Sequence, residues 1–167
     1  MVLKTRKDKL SYEVIPKIGI GPVRLNMTRE EVRRVMAEKP FPFYKTRNSR
    51  YETDAFHRNS FQVFYDDDKP HVDYIELSGN EAYTVLYSGM DVFGTEADEL
   101  VALISQHAAL DENNEELCYS YVFPELELSV WRSIIPESSD DEDGQYFSTI
   151  GIGRVGYYSK SALNGSD

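Results

Sequence analysis

The sequence predicts an α+β fold: two tandem strand-helix-meander repeats that form a broad antiparallel sheet with two helices packed on one face. Three observations predict it. Helix starts of similar type occur at Thr28 and Thr95, 67 positions apart. At that same offset Phe61-Gln-Val-Phe64 lands on Leu128-Ser-Val-Trp131 without a gap, and Phe56 lands on Phe123. The segments between read with the two-residue alternation of strands.

In chain order, residues 1–11 form a basic arm, 12–158 one domain of two repeats (12–79 and 83–158), and 159–167 a flexible polar tail. Thr28-Arg-Glu-Glu31 is a capping box, in which the hydroxyl and the carboxylate satisfy amides at a helix N-terminus. Val32, Val35 and Met36 follow at helical spacing, and Pro40 is expected to end the helix. Phe61, Val63 and Tyr65 share one strand face, and Val72-Asp-Tyr-Ile-Glu-Leu77 supplies the next strand after the turn Asp66-Asp-Asp-Lys-Pro70. In the second repeat Thr95-Glu-Ala-Asp98 is expected to open a helix in the same way, with Leu100, Leu103, Ile104 and His107 or Ala108 along one side. Leu126, Leu128 and Val130 then share a face. Phe147 to Ile152 matches the Val72 strand at an offset of 75, and the longer acidic turn around Asp140-Asp-Glu-Asp-Gly144 absorbs the difference.

Composition narrows the function. The net charge of −11 repels duplex DNA, RNA and anionic membranes and attracts a basic protein. Cys118 is the only cysteine, so no internal disulfide can form. No apolar run follows the basic arm and none approaches the length of a membrane span, so a cytoplasmic location is expected.

Catalytic and cofactor motifs fail on context. Gly151-Ile-Gly-Arg-Val-Gly156 fits the dinucleotide fingerprint, but only eleven residues follow it, too few for the helix and distal acid that fingerprint needs. The glycines are expected to permit a bulge or bend at the end of the last strand. His57, His71 and His107 lack metal-ligand spacing, and Cys118 reads as a small core filler. An EF-hand register through Gly144 puts Ile150 where a glutamate is required. No enzyme activity, cofactor or metal is expected.

One face of the sheet draws attention instead. If Leu126, Leu128 and Val130 point inward, then Glu127, Ser129 and Trp131 point outward, and Phe64, at the repeat position of Trp131, does the same. Tyr74 and Glu76 join them from the neighbouring strand. Large aromatics among carboxylates on an uncovered face suit protein binding; packing at strand ends or beneath the loop of residues 41–50 is the alternative. The candidate partner-binding residues are Phe64, Tyr74, Glu76, Glu127 and Trp131, with Asp66, Asp67, Asp68, Asp140, Asp141, Glu142 and Asp143 as steering charges.

The segment Ile15-Pro-Lys-Ile-Gly-Ile-Gly-Pro-Val-Arg-Leu-Asn-Met-Thr-Arg-Glu-Glu-Val32, with Phe61 to Asp66 and Val72 to Leu77, resembles small bacterial immunity proteins of polymorphic and contact-dependent toxin systems. The doubled unit is similar to the beta-lactamase inhibitor protein and the related outer-membrane assembly lipoprotein fold. In that fold a G-(M)-T/S-x-x-E-V signature marks a helix start, and Leu25-Asn-Met-Thr-Arg-Glu-Glu-Val32 is similar to it, with Asn26 where Gly is usual. The resemblance implies a scaffold for binding and inhibition and assigns no functional residue. The expectation is a cytoplasmic immunity protein, monomer or weak dimer, that neutralises a cognate basic toxin domain such as a nuclease. A non-enzymatic homo-oligomeric assembly protein is the alternative.

Overall fold

The computed structural model describes residues 9–159. The basic arm up to residue 8 and the tail from residue 160 lie outside the described residues. The fold is α+β, with two α-helices and two sheets among the described residues.

Strand β1 (Leu10–Ile15) turns through Lys17 into the short β2 (Gly19–Ile20) and β3 (Val23–Arg24). Asn26 follows at φ 68°, a left-handed conformation that Gly adopts freely and Asn tolerates better than most residues. Helix α1 (Arg29–Val35) starts with the expected capping box: Glu31 N–H donates to Thr28 Oγ1 (3.2 Å) and Thr28 N–H to Glu31 Oε2 (2.9 Å). The helix ends at Val35, ahead of Pro40, and buries Val32 while leaving Val35 exposed. Seven residues expose one narrow stripe to the core, so the expected third core position turns to solvent.

The remaining strands of the first half are β4 (Phe41–Phe43), β5 (Thr53–Phe56), β6 (Phe61–Tyr65) and β7 (Val72–Ser78). The second half runs through β8 (Tyr83–Tyr87), β9 (Met90–Asp91), α2 (Ala97–Ser105), β10 (Ser120–Phe123), a 3-10 turn (Pro124–Leu126), β11 (Leu128–Trp131) and β12 (Thr149–Gly153). The second helix starts differently from the expectation. Its N-cap is Glu96, whose side chain makes no cap, and the Ala97 amide is satisfied by the Gln145 carbonyl at 2.7 Å. Tertiary contact there does the work assigned to Thr95.

The strands divide in a way the expectation of one broad sheet does not anticipate. A seven-stranded antiparallel sheet runs β10-β11-β12-β7-β6-β5-β4, and a five-stranded sheet runs β3-β2-β1-β8-β9. Strands β1 and β8 pair in parallel, Tyr12 opposite Val85. The inner face of the large sheet contributes Phe61, Val63, Ile75, Leu77, Leu128, Val130, Ile150 and Ile152 to a single buried cluster. Val32 of α1, Leu100 and Ile104 of α2, and Tyr12, Val14, Tyr83 and Val85 of the small sheet complete it. Each fully buried aliphatic side chain contributes about 2 kcal/mol. Asp54 on β5 is also fully buried, held by Arg33 of α1 (2.8 and 3.0 Å) and by the Tyr65 hydroxyl (2.8 Å), and so ties the helix to the sheet. No helix among the described residues is long and apolar enough to cross a membrane.

Candidate partner-binding surface

Because Phe61, Val63, Ile75, Leu77, Leu128 and Val130 point into the core, their strand neighbours build the opposite face of the large sheet. Register brings the predicted residues onto it: Phe64 opposes Tyr74, Gln62 opposes Glu76, Glu76 opposes Gly151, and Trp131 opposes Thr149. Neither α1 nor α2 packs on this face; both bury their apolar side chains with the inner one. The outer face is not uniformly open, and the predicted residues fall into three groups.

At the centre the chain covers its own sheet. After β12 it turns through Gly156 (φ 94°) and lays Tyr157 and Tyr158 over Tyr74. Tyr74 and Tyr157 stack with centroids 4.6 Å apart, and the Tyr74 and Tyr158 hydroxyls lie 2.7 Å apart, both within reach of Ser129 Oγ. Tyr74 is therefore only 5% exposed, not an open-face residue as expected. Burial raises its phenol well above the ordinary range, and burial likewise pushes Tyr157 up to about 12. Gly151 and Gly153 make this packing possible. A Cβ on Gly151 would stand 1.9 Å from Tyr74 Oη, and one on Gly153 would stand 2.5 Å from the Tyr157 ring. Gly151 and Gly153 thus serve close approach rather than a bulge, while Gly156 makes the expected bend after the last strand.

Glu127 is the anchor of that final turn. Leu126 belongs to the 3-10 turn and Glu127 takes a left-handed conformation (φ 51°), so the expected alternation starts only at Leu128. The Glu127 side chain is drawn inward to 2% exposure. Its carboxylate accepts from the Gly156 amide (2.9 Å), the Tyr158 amide (2.6 Å) and the Ser159 hydroxyl (2.6 Å). Burial alone would raise its pKa, but these donors hold the carboxyl below its usual value. Glu127 is thereby spent on the fold, and Ser159, expected to begin the tail, is held in place by it. The same turn is gripped on its other side by Arg154, which pairs with Asp73 (2.8 Å) and Asp66.

The first-half group is partly screened. Phe64 and Glu76 are half-buried, with Lys45 Nζ 4.5 Å from the Phe64 ring centre. Burial raises the Glu76 carboxyl, and nearby Lys45 lowers it in part. The loop after β4 accordingly covers Phe64 from the side, as the alternative for this ring expects. Asp66 is held down first by the Asp68 amide and then by Arg154, and Asp67 accepts from the Arg50 amide at 3.0 Å. These acids shape the β6–β7 turn; Asp68 stays exposed beside them.

The second-half group is open. Trp131 is 38% exposed, and Asp140, Glu142 and Asp143 are exposed with Asp141 partly so. Tyr119, Ile134, Ile135 and Tyr146, which carry no sequence signal of their own, are exposed in the segments flanking β11 and β12, with Ile135 beside the start of α2. Backbone bonds gather their segments: Arg132 N–H donates to the Tyr119 carbonyl and Ser148 N–H to the Trp131 carbonyl. Arg132 itself is buried and donates to the Cys118 carbonyl (2.8 Å), the Gly144 carbonyl (2.9 Å) and the Tyr121 hydroxyl (3.1 Å). It pins both flanking loops to β11. Cys118 sits in the first of these loops at φ 82° and is exposed, so it is not the core filler expected. The sequence signal for this region was uneven charge: residues 80–167 hold seventeen acidic and three basic side chains, residues 1–79 twelve and fifteen.

Among the described residues no group of three His, Cys, Asp or Glu side chains is arranged to hold a metal ion. No family model, curated protein or solved structure matches the chain.

Proposed function

We propose that this chain is a bacterial, cytoplasmic immunity protein: a non-catalytic binder that neutralises a cognate basic toxin domain, such as a nuclease, by docking on it with the side of the large sheet that faces away from α1 and α2. The observation that carries it is the exposed aromatic and aliphatic group around Trp131 inside a strongly acidic region. Exposed apolar side chains rimmed by charge of one sign are what a protein interface requires, and a field of that sign speeds capture of an oppositely charged partner.

The scaffold is read as a duplicated unit. Strand order around the β12–β7 pair, with β11 and β10 on one side and β6 and β5 on the other, is what two copies of one motif related by a local two-fold would give. Tyr12-Glu-Val-Ile15 and Tyr83-Thr-Val-Leu86 begin the two halves in the parallel β1–β8 pair. Both features support the likeness to the beta-lactamase inhibitor scaffold.

Expression of the protein encoded by the adjacent gene, with and without this chain, tests the proposal. Growth arrest that this chain relieves, with a stable complex of the two purified proteins, is the expected outcome. A harmless neighbour that forms no complex would sink it. Light scattering on the chain alone addresses the assembly alternative, which requires a discrete homo-oligomer at micromolar concentration.

A further inference from the structure

We infer that docking takes place at the β10–β11 end of the large sheet, around Trp131, and that the surface it receives is a cationic protein surface. This rests on the reading of the chain as a neutralising binder and moves the contact away from the middle of the sheet.

The middle is already occupied. Tyr157 and Tyr158 lie over Tyr74, and Glu127 fixes them with three hydrogen bonds. A partner seated there would first have to displace an ordered, hydrogen-bonded turn, whereas one seated at the β10–β11 end meets side chains already exposed. Five large apolar side chains, Tyr119, Trp131, Ile134, Ile135 and Tyr146, are exposed in the three segments joined there. Tryptophan and tyrosine at the centre of such a group are the residues that most often dominate binding energy.

Charge then selects the partner. Besides the buried Glu127, residues 111–146 carry ten Asp and Glu, and their single Lys or Arg is Arg132. That guanidinium is buried and turned toward two backbone carbonyls and a tyrosine hydroxyl, so the rim presents acidic side chains only. Nucleic acid and anionic lipid are repelled by this rim. A surface rich in lysine and arginine is attracted, and Arg132 holds the loops that bear the carboxylates, which lowers the ordering cost on binding. The opposite edge of the sheet has the reverse character: residues 41–51 contain Lys45, Arg47 and Arg50 and no acid, beside exposed Phe41 and Tyr44. A second copy offering that loop is the competing occupant. The net charge of −11 on every copy opposes it.

Two measurements on the intact protein test the site. The first titrates the isotopically labelled chain with an aromatic-free oligolysine peptide at low salt and maps amide shifts while following emission of Trp131, the only tryptophan. Shifts concentrated in residues 111–146, a change in Trp131 emission, and loss of both at 300 mM salt are expected. Shifts spread evenly, or centred on the β6–β7 turn, would overturn the site.

The second measures affinity for the adjacent-gene toxin. Trp131→Ala is expected to weaken it at least 30-fold, and Glu137→Lys with Asp140→Lys and Glu142→Lys to slow association at least tenfold. Tyr44→Ala with Arg47→Glu is expected to leave it within twofold. Tight binding indifferent to the first two variants, or lost only in the third, overturns the site while leaving the immunity reading intact. A toxin that does not bind removes the immunity reading, and the peptide map then decides the surface by itself. Unchanged far-UV circular dichroism and melting temperature accompany each variant, and salt-sensitive self-association abolished by Arg47→Glu would assign the surface to a second copy.

Discussion

Tyr74 lies face to face with Tyr157, their ring centroids 4.6 Å apart and their planes inclined by 24°. A strand residue expected to greet a partner instead greets the chain's own last turn. The pair fits because β12 presents two glycines to it, and Glu127 keeps the turn from lifting away.

Gly151→Ala is therefore expected to destabilise the protein although alanine suits strands better than glycine. The added methyl would stand 1.9 Å from the Tyr74 hydroxyl. Overpacking of this kind costs about 2 kcal/mol. Urea denaturation should show that loss, and limited proteolysis should cut first near Arg154. The double variant Gly151→Ala, Tyr74→Phe, which removes the obstructing oxygen, should recover part of it.

Acid should loosen the same turn. Glu127 has a lowered pKa in the folded protein, so its contribution is complete above the ordinary glutamate value of about 4.3 and is lost as pH falls through the lowered value. Asp66 acts in the same direction. Glu76 acts in the opposite one: its raised pKa means stability is lost as pH rises through it. Melting temperature measured from pH 3 to 7 should drop at the acid end, less steeply in Glu127→Gln. Glu76→Gln should melt higher than the parent at pH 7. A Glu127→Gln curve parallel to the parent would show that the carboxylate is not the anchor.

Asp54→Asn should destabilise the protein and loosen α1 from the large sheet. The carboxylate is fully buried, pairs with Arg33 through both oxygens, and accepts the Tyr65 hydroxyl. Losing the charged acceptor costs about 2 kcal/mol, less than in a fully buried pair, because the Arg33 side chain is 39% exposed and water screens its charge. Thermal unfolding followed at 222 nm should register it, with α1 amides exchanging hydrogen faster than those of α2.

Cys118 should react with a thiol reagent in the native state. It is exposed at the tip of a turn rather than packed between strands. One equivalent of a thiol-reactive dye is expected to add without denaturant and without loss of fold. A thiol that reacts only in guanidine would contradict its placement.

What the sequence alone determined is the local part of the fold. The Thr28 capping box, the alternation through β6 and β7, and the acidic turn between them all depend on residues within a few positions of one another, and each forms as read. The fit of the outer-face residues to opposite strands followed from alternation as well. Tertiary structure decided the rest. Whether Thr95 caps α2 depended on the Gln145 carbonyl fifty residues on, and the division into two sheets on the β1–β8 pairing. Whether the middle of the outer face stays open depended on Tyr157 and Glu127, which approach only after the chain has folded back. Periodicity names the side a residue faces. It cannot say what later segment will cover that side, because cover comes from contacts distant in sequence, and here those contacts sealed Tyr74 and left Trp131 exposed.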